Sequence, residues 1–113
     1  MASTNFAVPI LPGKSEAWKA ACAEIAGPRK EEYINSRRAL GITKESACLQ
    51  QTPNGDFVVV HIEAGDVSGI MQGMMNATDA FSVWFKDAVF KDVHGIDGSG
   101  PVPPAPEVFL DIL

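Results

Sequence analysis

Hydrophobic and polar positions alternate most regularly between residues 47 and 65. The pattern predicts two β-strands joined at Pro53-Asn54-Gly55, because proline fixes its own φ and Asn-Gly tolerates positive φ. In the second strand, Val58, Val60 and Ile62 share one apolar face, since successive side chains of a strand alternate. The other face carries Phe57, Val59, His61 and Glu63. We therefore expect helices on the valine face, and water, a second subunit or a ligand on the reverse.

The turn between these strands fits two registers. One is a two-residue turn at Asn54-Gly55, and the other is a three-residue loop with a bulge. The choice decides which side chains of the first strand face His61: Cys48 and Gln50, or Leu49 and Gln51.

Two helices are predicted before this hairpin. Ser15 is a suitable cap for the first helix, and Gly27 ends it. Pro28 suits the first turn of the second helix, which runs to about Leu40 with Gly41 at its C′ position. The apolar stripe of the first helix has the spacing i, i+3, i+4 and i+7 and consists of Trp18, Ala21, Cys22 and Ile25.

Two further helices are predicted after the hairpin. Asp66 is the expected cap of the third helix, and Thr78 or Asp79 begins the fourth. The fourth helix is expected to end near His94 and Gly95. It carries the densest aromatic patch of the chain, formed by Phe81, Trp84 and Phe85.

Short strands are predicted near both ends of the chain. Residues 6–11 form an apolar run in which Pro9, lacking an N–H, belongs at the strand's end, at a bulge or on an unpaired edge. Residues 95–106 are rich in glycine and proline, which excludes regular structure. Residues 107–113 (EVFLDIL) are predicted to be a last strand.

The order of elements predicts an α+β fold in one domain over residues 1–113. It matches a ferredoxin-like βαββαβ arrangement with split helices, in which a four-stranded antiparallel sheet has helices on one face. The other face, with Phe57 and Val59, predicts a homodimer packed sheet to sheet. A dimer of such dimers is the alternative assembly.

Composition narrows the function classes. A net charge of −5 argues against a nucleic-acid surface, which needs clustered Lys and Arg. No signal peptide or apolar run long enough for a membrane span is visible, so a cytoplasmic protein is expected. Cys22 and Cys48 lie in apolar patterns and are predicted to be buried free thiols.

Several short segments carry a family resemblance. They are PILPGK (9–14), GPRKEEY (27–33), SRRALGI (36–42), LQQTPNGD (49–56) and HGID (94–97). With the order of elements, they resemble an uncharacterised bacterial family within the dimeric α/β-barrel superfamily. The superfamily includes cofactor-free monooxygenases, lactone isomerases, polyketide cyclases and haem-binding proteins, so the resemblance implies a fold and a dimer rather than one reaction. None of the catalytic motifs of those enzymes maps onto this chain.

The first candidate site is His61 with Glu63, which project from the same strand face about 7 Å apart. They suit a general acid/base pair in which Glu63 orients the imidazole. Alternatively, both are polar groups of a dimer interface, hydrogen-bonded to Gln50 or Ser46. His94 would complete a two-histidine, one-carboxylate metal set, but nothing in the spacing places it beside His61. We predict neither a metal site nor a cofactor.

The second candidate site uses Tyr33 and Arg37, one turn apart on the second helix. They could reach a substrate carboxylate, to which arginine donates in a bidentate manner. Alternatively, the stem of Arg37 covers Tyr33 while its guanidinium pairs with an acid such as Glu32 or Asp56. Gln50, Trp84 and Phe85 complete the predicted ligand-binding set.

The aromatic and methionine side chains of the last helices allow two interpretations. They could line an apolar ligand pocket between sheet and helices, or they could be core. Three function hypotheses follow: binding of a small apolar or aromatic molecule in that cleft, a cofactor-independent oxygenase or isomerase using His61 and Glu63, and an interaction domain without a small-molecule site.

Overall fold

The computed structural model of the protein describes residues 2–98, 100 and 102–112. Within these residues there are three antiparallel strands and four α-helices, which confirms the predicted α+β class. In chain order the elements are β1 (Ala2–Pro9), α1 (Ser15–Ala26), α2 (Lys30–Ala39), β2 (Ile42–Thr52), β3 (Gly55–Ala64), α3 (Ile70–Asn76) and α4 (Ala80–Phe85). A π-helical segment, Lys86–Lys91, continues α4 without a break. No helix in this part of the chain is long and apolar enough to cross a membrane.

The hairpin loop has two residues, as in the shorter of the two predicted turns, but they are Pro53 and Asn54 rather than Asn54 and Gly55. Thr52 pairs with Gly55, so only Pro53 and Asn54 lie outside the ladder. The Thr52 hydroxyl accepts from the Asn54 N–H at 3.2 Å and donates to the Gly55 carbonyl at 2.7 Å. Gly55 has a φ of 125°, which side chains with a Cβ rarely adopt, and this allows the ladder to begin directly after Asn54.

The ladder between β2 and β3 decides which residues share a face with His61. Cys48 pairs with Val59 and Gln50 pairs with Phe57. Directly paired residues lie on the same side of a sheet. Cys48 and Gln50 therefore face the same side as His61, in agreement with the first of the two predicted alternatives.

The predicted asymmetry of β3 is confirmed. Val58, Val60 and Ile62 are 3%, 8% and 0% exposed, whereas Val59 is 37% exposed. The buried row contacts the helices, and the core cluster draws on α1, α3 and the π-helical segment as well as the sheet. We call the reverse side, which carries Val59, the open face.

Cys48 is exposed, so the prediction that it is buried is wrong. The physical reason is its position opposite Val59 on the open face, which the apolar pattern alone did not reveal. Cys22, on α1, is partly buried, and burial raises the pKa of its thiol.

Both outer strands begin earlier in the chain than their apolar residues predicted. β1 begins at Ala2 rather than Phe6 and pairs with β3 along its whole length, from Ala2 opposite Ala64 to Pro9 opposite Phe57. Pro9 ends the strand, as predicted. β2 begins at Ile42, with a register shift between Ile42 and Lys44. The additional residues of both strands are largely polar because one face of the sheet is exposed, so the apolar pattern did not predict them.

The predicted fourth strand does not form. Residues 107–112 contain no strand, and Leu113 lies outside the described residues. The sheet is therefore three-stranded, with the order β1-β3-β2, rather than four-stranded. The described part of residues 95–106 has no helix or strand, as predicted, while Ser99 and Pro101 lie outside the description.

Two of the three predicted helix caps are wrong. Ser15 is the first residue of α1, and its hydroxyl donates to Asp56 at 2.6 Å, which ties the helix to β3. Asp66 accepts from the Ser68 N–H at 2.9 Å in a local turn, and α3 begins only at Ile70.

Asp79, one of the two predicted starting residues, is the N-cap of α4 and accepts from the Ser82 N–H at 3.1 Å. The same interaction holds the pKa of the Asp79 carboxyl below its ordinary value, first through the Ser82 hydroxyl and then through the Ser82 N–H.

His94 joins the end of the helical region to β1. Its Nδ1 donates to the Pro9 carbonyl at 2.8 Å, and burial lowers the pKa of the imidazole below its ordinary value. The folded state therefore holds His94 neutral, and the unfolded chain binds the proton first as the pH falls. Stability should be fully present above pH ~6.5 and decline as the pH falls toward the depressed folded pKa.

We expect His94→Asn, whose amide replaces the donor, to remove the stability loss between pH 6.5 and 5 while preserving stability at pH 7.5. Urea unfolding at the three pH values measures it. An unchanged pH dependence in the variant would assign the loss to other groups.

Candidate functional site

The densest polar interaction of the protein joins α2 to β2. The Arg37 Nε donates to Glu45 Oε1 at 2.6 Å, and the Tyr33 hydroxyl donates to the same oxygen at 2.6 Å. Tyr33 and Arg37 are one helical turn apart, and Glu45 pairs with Ile62, which directs it toward the helices. The Arg37 and Glu45 side chains are only 6% and 14% exposed, so this is a buried ion pair.

Aromatic rings enclose the Arg37 guanidinium. Its central carbon lies 4.9 Å from the ring centre of Tyr33 and 4.6 Å from that of Phe85. Phe81 extends the cluster, since its ring centre is 6.1 Å from Tyr33 and 6.0 Å from Phe85. The structure thus brings together the predicted residues Tyr33, Arg37 and Phe85.

Trp84 forms the outer part of the same aromatic cluster. Its ring centre is 5.7 Å from that of Phe81, and the Arg29 guanidinium lies over it at 4.4 Å. Arg29 Nε lies 3.0 Å from Glu24 Oε1, and Arg29 Nη1 lies 3.6 Å from Glu32 Oε1. These outer ion pairs are partly exposed, so little free energy opposes their displacement.

Arg37 has donors that the described residues do not satisfy. Nε is used by Glu45, and Nη1 makes only a long contact of 3.4 Å to the Ser36 hydroxyl. Nη2 is fully buried and has no hydrogen-bond partner in the described part of the chain. A buried donor without a partner is costly, so Nη2 is the atom of this cluster at which a hydrogen-bond acceptor would lower the free energy.

The protonation state of Tyr33 supports its hydrogen bond to Glu45. Burial raises the pKa of its phenol well above the ordinary value, and the negative charge of Glu45 raises it further. The phenol therefore stays protonated at neutral pH and remains a donor to Glu45. Glu45 accordingly accepts from Tyr33 and Arg37 at one oxygen, which fixes the orientation of the guanidinium.

Gln50 does not belong to this site, contrary to its place in the predicted ligand-binding set. It is exposed on the open face, because it pairs with Phe57, and its amide makes a 3.5 Å contact with the Gln51 carbonyl. The predicted acids also differ from the observed one, since Arg37 pairs with Glu45 rather than with Glu32 or Asp56.

His61 and Glu63 are in contact on the open face. His61 Nε2 lies 2.7 Å from Glu63 Oε2, and Nδ1 lies 2.7 Å from Asn5 Oδ1. The hydrogen bond from His61 is the main reason that the pKa of Glu63 is lowered. Glu63 therefore orients the imidazole as expected, but both ring nitrogens are engaged. A proton-carrier role would require the ring to release one of these contacts.

His94 lies apart from this pair, on the Pro9 carbonyl. Among the described residues, no group of three or more His, Cys, Asp or Glu side chains is arranged to hold a metal ion.

The aromatic and methionine side chains proposed to line a pocket are mostly core. Phe81 is 2% and Met74 is 6% exposed. A surface groove of about 350 Å³ lies instead beside the π-helical segment, where Met75, Val83, Phe90 and Ile96 form its apolar part. This groove does not include Tyr33, Arg37 or Trp84.

Glu45 and Asn5 are the site residues that sequence reasoning missed. Each lies in a polar part of a strand that the apolar pattern did not predict to be β-structure. The prediction therefore did not place Glu45 opposite Arg37 or Asn5 opposite His61. A signal was available for Glu45: it lies two residues from Ala47, so extending the period-2 pattern backwards puts it on the helix-facing side.

Comparison with protein families, curated proteins and solved structures finds no match to this chain.

Proposed function

We propose that this protein binds a small aromatic molecule bearing a carboxylate between β2, α2 and α4, with the partly exposed outer layer of Arg29 and Trp84 displaced to admit it. The main support for this proposal is the buried Nη2 of Arg37, which has no hydrogen-bond partner in the described part of the chain. The guanidinium to which it belongs lies between the rings of Tyr33 and Phe85.

The chemistry of the guanidinium favours a carboxylate. Its Nε edge is occupied by Glu45, which leaves the edge formed by Nη1 and Nη2. That edge matches the two oxygens of a carboxylate in a bidentate contact. Arg37 and Glu45 cancel each other's charge, and Arg29 over Trp84 provides a second guanidinium near the outer side, which Glu24 would have to share with the ligand. The rings of Phe85, Tyr33 and Trp84 would contact the aromatic part of the ligand.

A thermal-shift screen tests the site directly. The probes are benzoate, 2-naphthoate and indole-3-acetate, each beside its primary amide. At 100 times the Kd, binding stabilises a protein by about 2.7 kcal/mol, which is a Tm rise of roughly 10 °C for a chain of this size. We expect at least one acid to produce such a shift and its amide to produce less.

Arg37→Lys is the matched variant, because it keeps a cation beside Glu45 and removes the Nη1–Nη2 edge. We expect it to abolish the shift. Arg38→Lys changes the neighbouring, exposed arginine of α2 and should preserve the shift. An equal shift in Arg37→Lys, or no shift by any acid in the native protein, would contradict the proposal.

We also propose that the subunit is ferredoxin-like and dimerises through its open face. The β1-β3-β2 order leaves a place beside β1 for the fourth antiparallel strand of such a sheet, which a segment of the same chain or of a second copy can fill. Val59 is exposed at the centre of the open face, with Ala7 and Cys48 as its neighbours on the two adjoining strands. Polar side chains, including His61, surround this apolar centre, as in an interface with a polar rim.

Cys48 reports on this interface because it lies at its centre. In Cys22→Ala protein, we expect the Cys48 thiol to react with 5,5′-dithiobis(2-nitrobenzoate) about 10-fold more slowly when concentrated than when dilute, because the dimer covers it. Val59→Lys should make the reaction fast at every concentration, since a lysine would have to be buried between two sheets. A fast reaction in the parent protein at all concentrations would show that the open face is free in solution.

A further inference from the structure

We infer that residues 107–112 add as a β-strand to the free edge of β1 in a second copy of this chain. The inference does not depend on the carboxylate site or on dimerisation through the open face.

The edge of β1 is suited to accept a strand. β1 pairs with β3 on one side, and no described residue pairs with its other side. Its eight residues, ASTNFAVP, include no charged side chain. Proteins usually protect exposed edges with charges, bulges or proline, and here only Pro9, at the end, provides such protection. The other edge strand, β2, carries Lys44 and Glu45 and a register shift, which make it a poorer template.

Residues 107–112 have the character of a strand that lacks its neighbour. Val108, Phe109, Leu110 and Ile112 are 73%, 91%, 77% and 78% exposed. Four large apolar side chains within five residues form an exposed segment that soluble proteins normally cover. The segment is also too short to bury these side chains by itself.

The side-chain pattern of the segment continues that of the sheet. On β1, Phe6 and Val8 face the helices, since they pair with Val60 and Val58, and both are partly buried. A strand beside β1 would place Val108, Leu110 and Ile112 on this same side. The apolar layer under the helices would thus extend by one strand, and Asp111 would lie on the open face with Phe109.

The connecting segment favours a second copy over the same chain. The end of the helical region already touches the end of β1, where Leu11 N–H donates to the Val93 carbonyl at 2.8 Å. An antiparallel strand on the chain's own β1 would therefore need only a short turn. Twelve residues, 95–106, intervene instead, and four of the last six are proline. At the extended proline spacing they reach up to about 37 Å, comparable with the 37 Å length of the molecule.

Disulfide trapping tests the inference. On a Cys22→Ala/Cys48→Ser background, Ala7→Cys is combined in separate full-length chains with Glu107→Cys, Phe109→Cys and Asp111→Cys. These three chains test the registers that bring Ala7 opposite an open-side residue of the segment 107–112. Mild oxidation should convert at least one of these chains to a covalent dimer of twice the mass, and dithiothreitol should reverse it.

A mixture of two single variants identifies the linkage. Ala7→Cys chains and Glu107→Cys, Phe109→Cys or Asp111→Cys chains of different isotopic mass should yield a heterodimer whose digest joins a residue-7 peptide to a tail peptide. A monomeric product with an internal disulfide would overturn the inference, because the segment would then pair with its own β1. The inference would also be overturned if no disulfide formed between residue 7 and the segment 107–112 (the 7-to-tail linkage) in chains that circular dichroism shows to be folded.

The Val59→Lys change separates this contact from the open-face dimer. We expect the 7-to-tail linkage to form equally well in a Val59→Lys background, because the edge of β1 does not include Val59. Loss of the linkage there would contradict the independence of the two contacts.

Discussion

Replacing Glu45 with leucine is expected to lower the free energy of unfolding by about 4 kcal/mol, because it leaves a buried guanidinium without its carboxylate. Arg37 is 5% exposed, so water cannot replace the lost partner. The Tyr33 hydroxyl loses its acceptor at the same time. Since domains of this size have only about 5–15 kcal/mol of stability, the variant should be close to unfolding at room temperature. Urea denaturation measures the loss.

Removing the whole polar cluster should cost much less than removing Glu45 alone. Tyr33→Phe/Arg37→Met/Glu45→Leu replaces every charged or polar member by an apolar side chain of similar size, and such replacements are often neutral or stabilising. We expect the triple variant to lie within about 1 kcal/mol of the native protein. If it is as unstable as Glu45→Leu, the loss comes from packing and not from an unpaired charge.

The second large effect concerns the two faces of β3. Ile62→Ala should cost about 3 kcal/mol, because Ile62 is completely buried and the deletion leaves a cavity. Val59→Ala, on the same strand, should cost no more than about 0.5 kcal/mol in the monomer, because Val59 is exposed there.

Both variants are to be compared below the dissociation constant of any dimer, by chemical denaturation. Equal losses at the two positions would show that both faces of the strand are packed within one chain. That result would remove the basis for an open face.

The sequence was most informative where apolar residues recur at a constant spacing, as they do in β3. The faces of β3 followed from Val58, Val60 and Ile62 alone, because burial on one side of a strand requires that alternation. Asp79 as a cap was predictable for a similar reason, since its carboxylate satisfies a local N–H whatever surrounds it.

Features that depend on contacts distant in sequence were not predictable. Ser15 looks like a cap, but its hydroxyl prefers Asp56, 41 residues away. Glu45 looks like a surface residue between Lys44 and Ser46. The period-2 pattern can place it on the helix-facing side, but the pattern does not show that Arg37 lies opposite it. Likewise, residues 107–113 have the letters of a strand, but a strand needs an edge to pair with, and no local pattern shows whether that edge is occupied.

A crystal structure of the protein with the aromatic acid that stabilises it most tests the proposed site most directly. We predict both carboxylate oxygens within about 3 Å of Arg37 Nη1 and Nη2, with Glu45 still on Nε and the aromatic part of the acid against Phe85 and Trp84. An ordered water or a protein carbonyl on Nη2, with the acid bound elsewhere, would contradict the account.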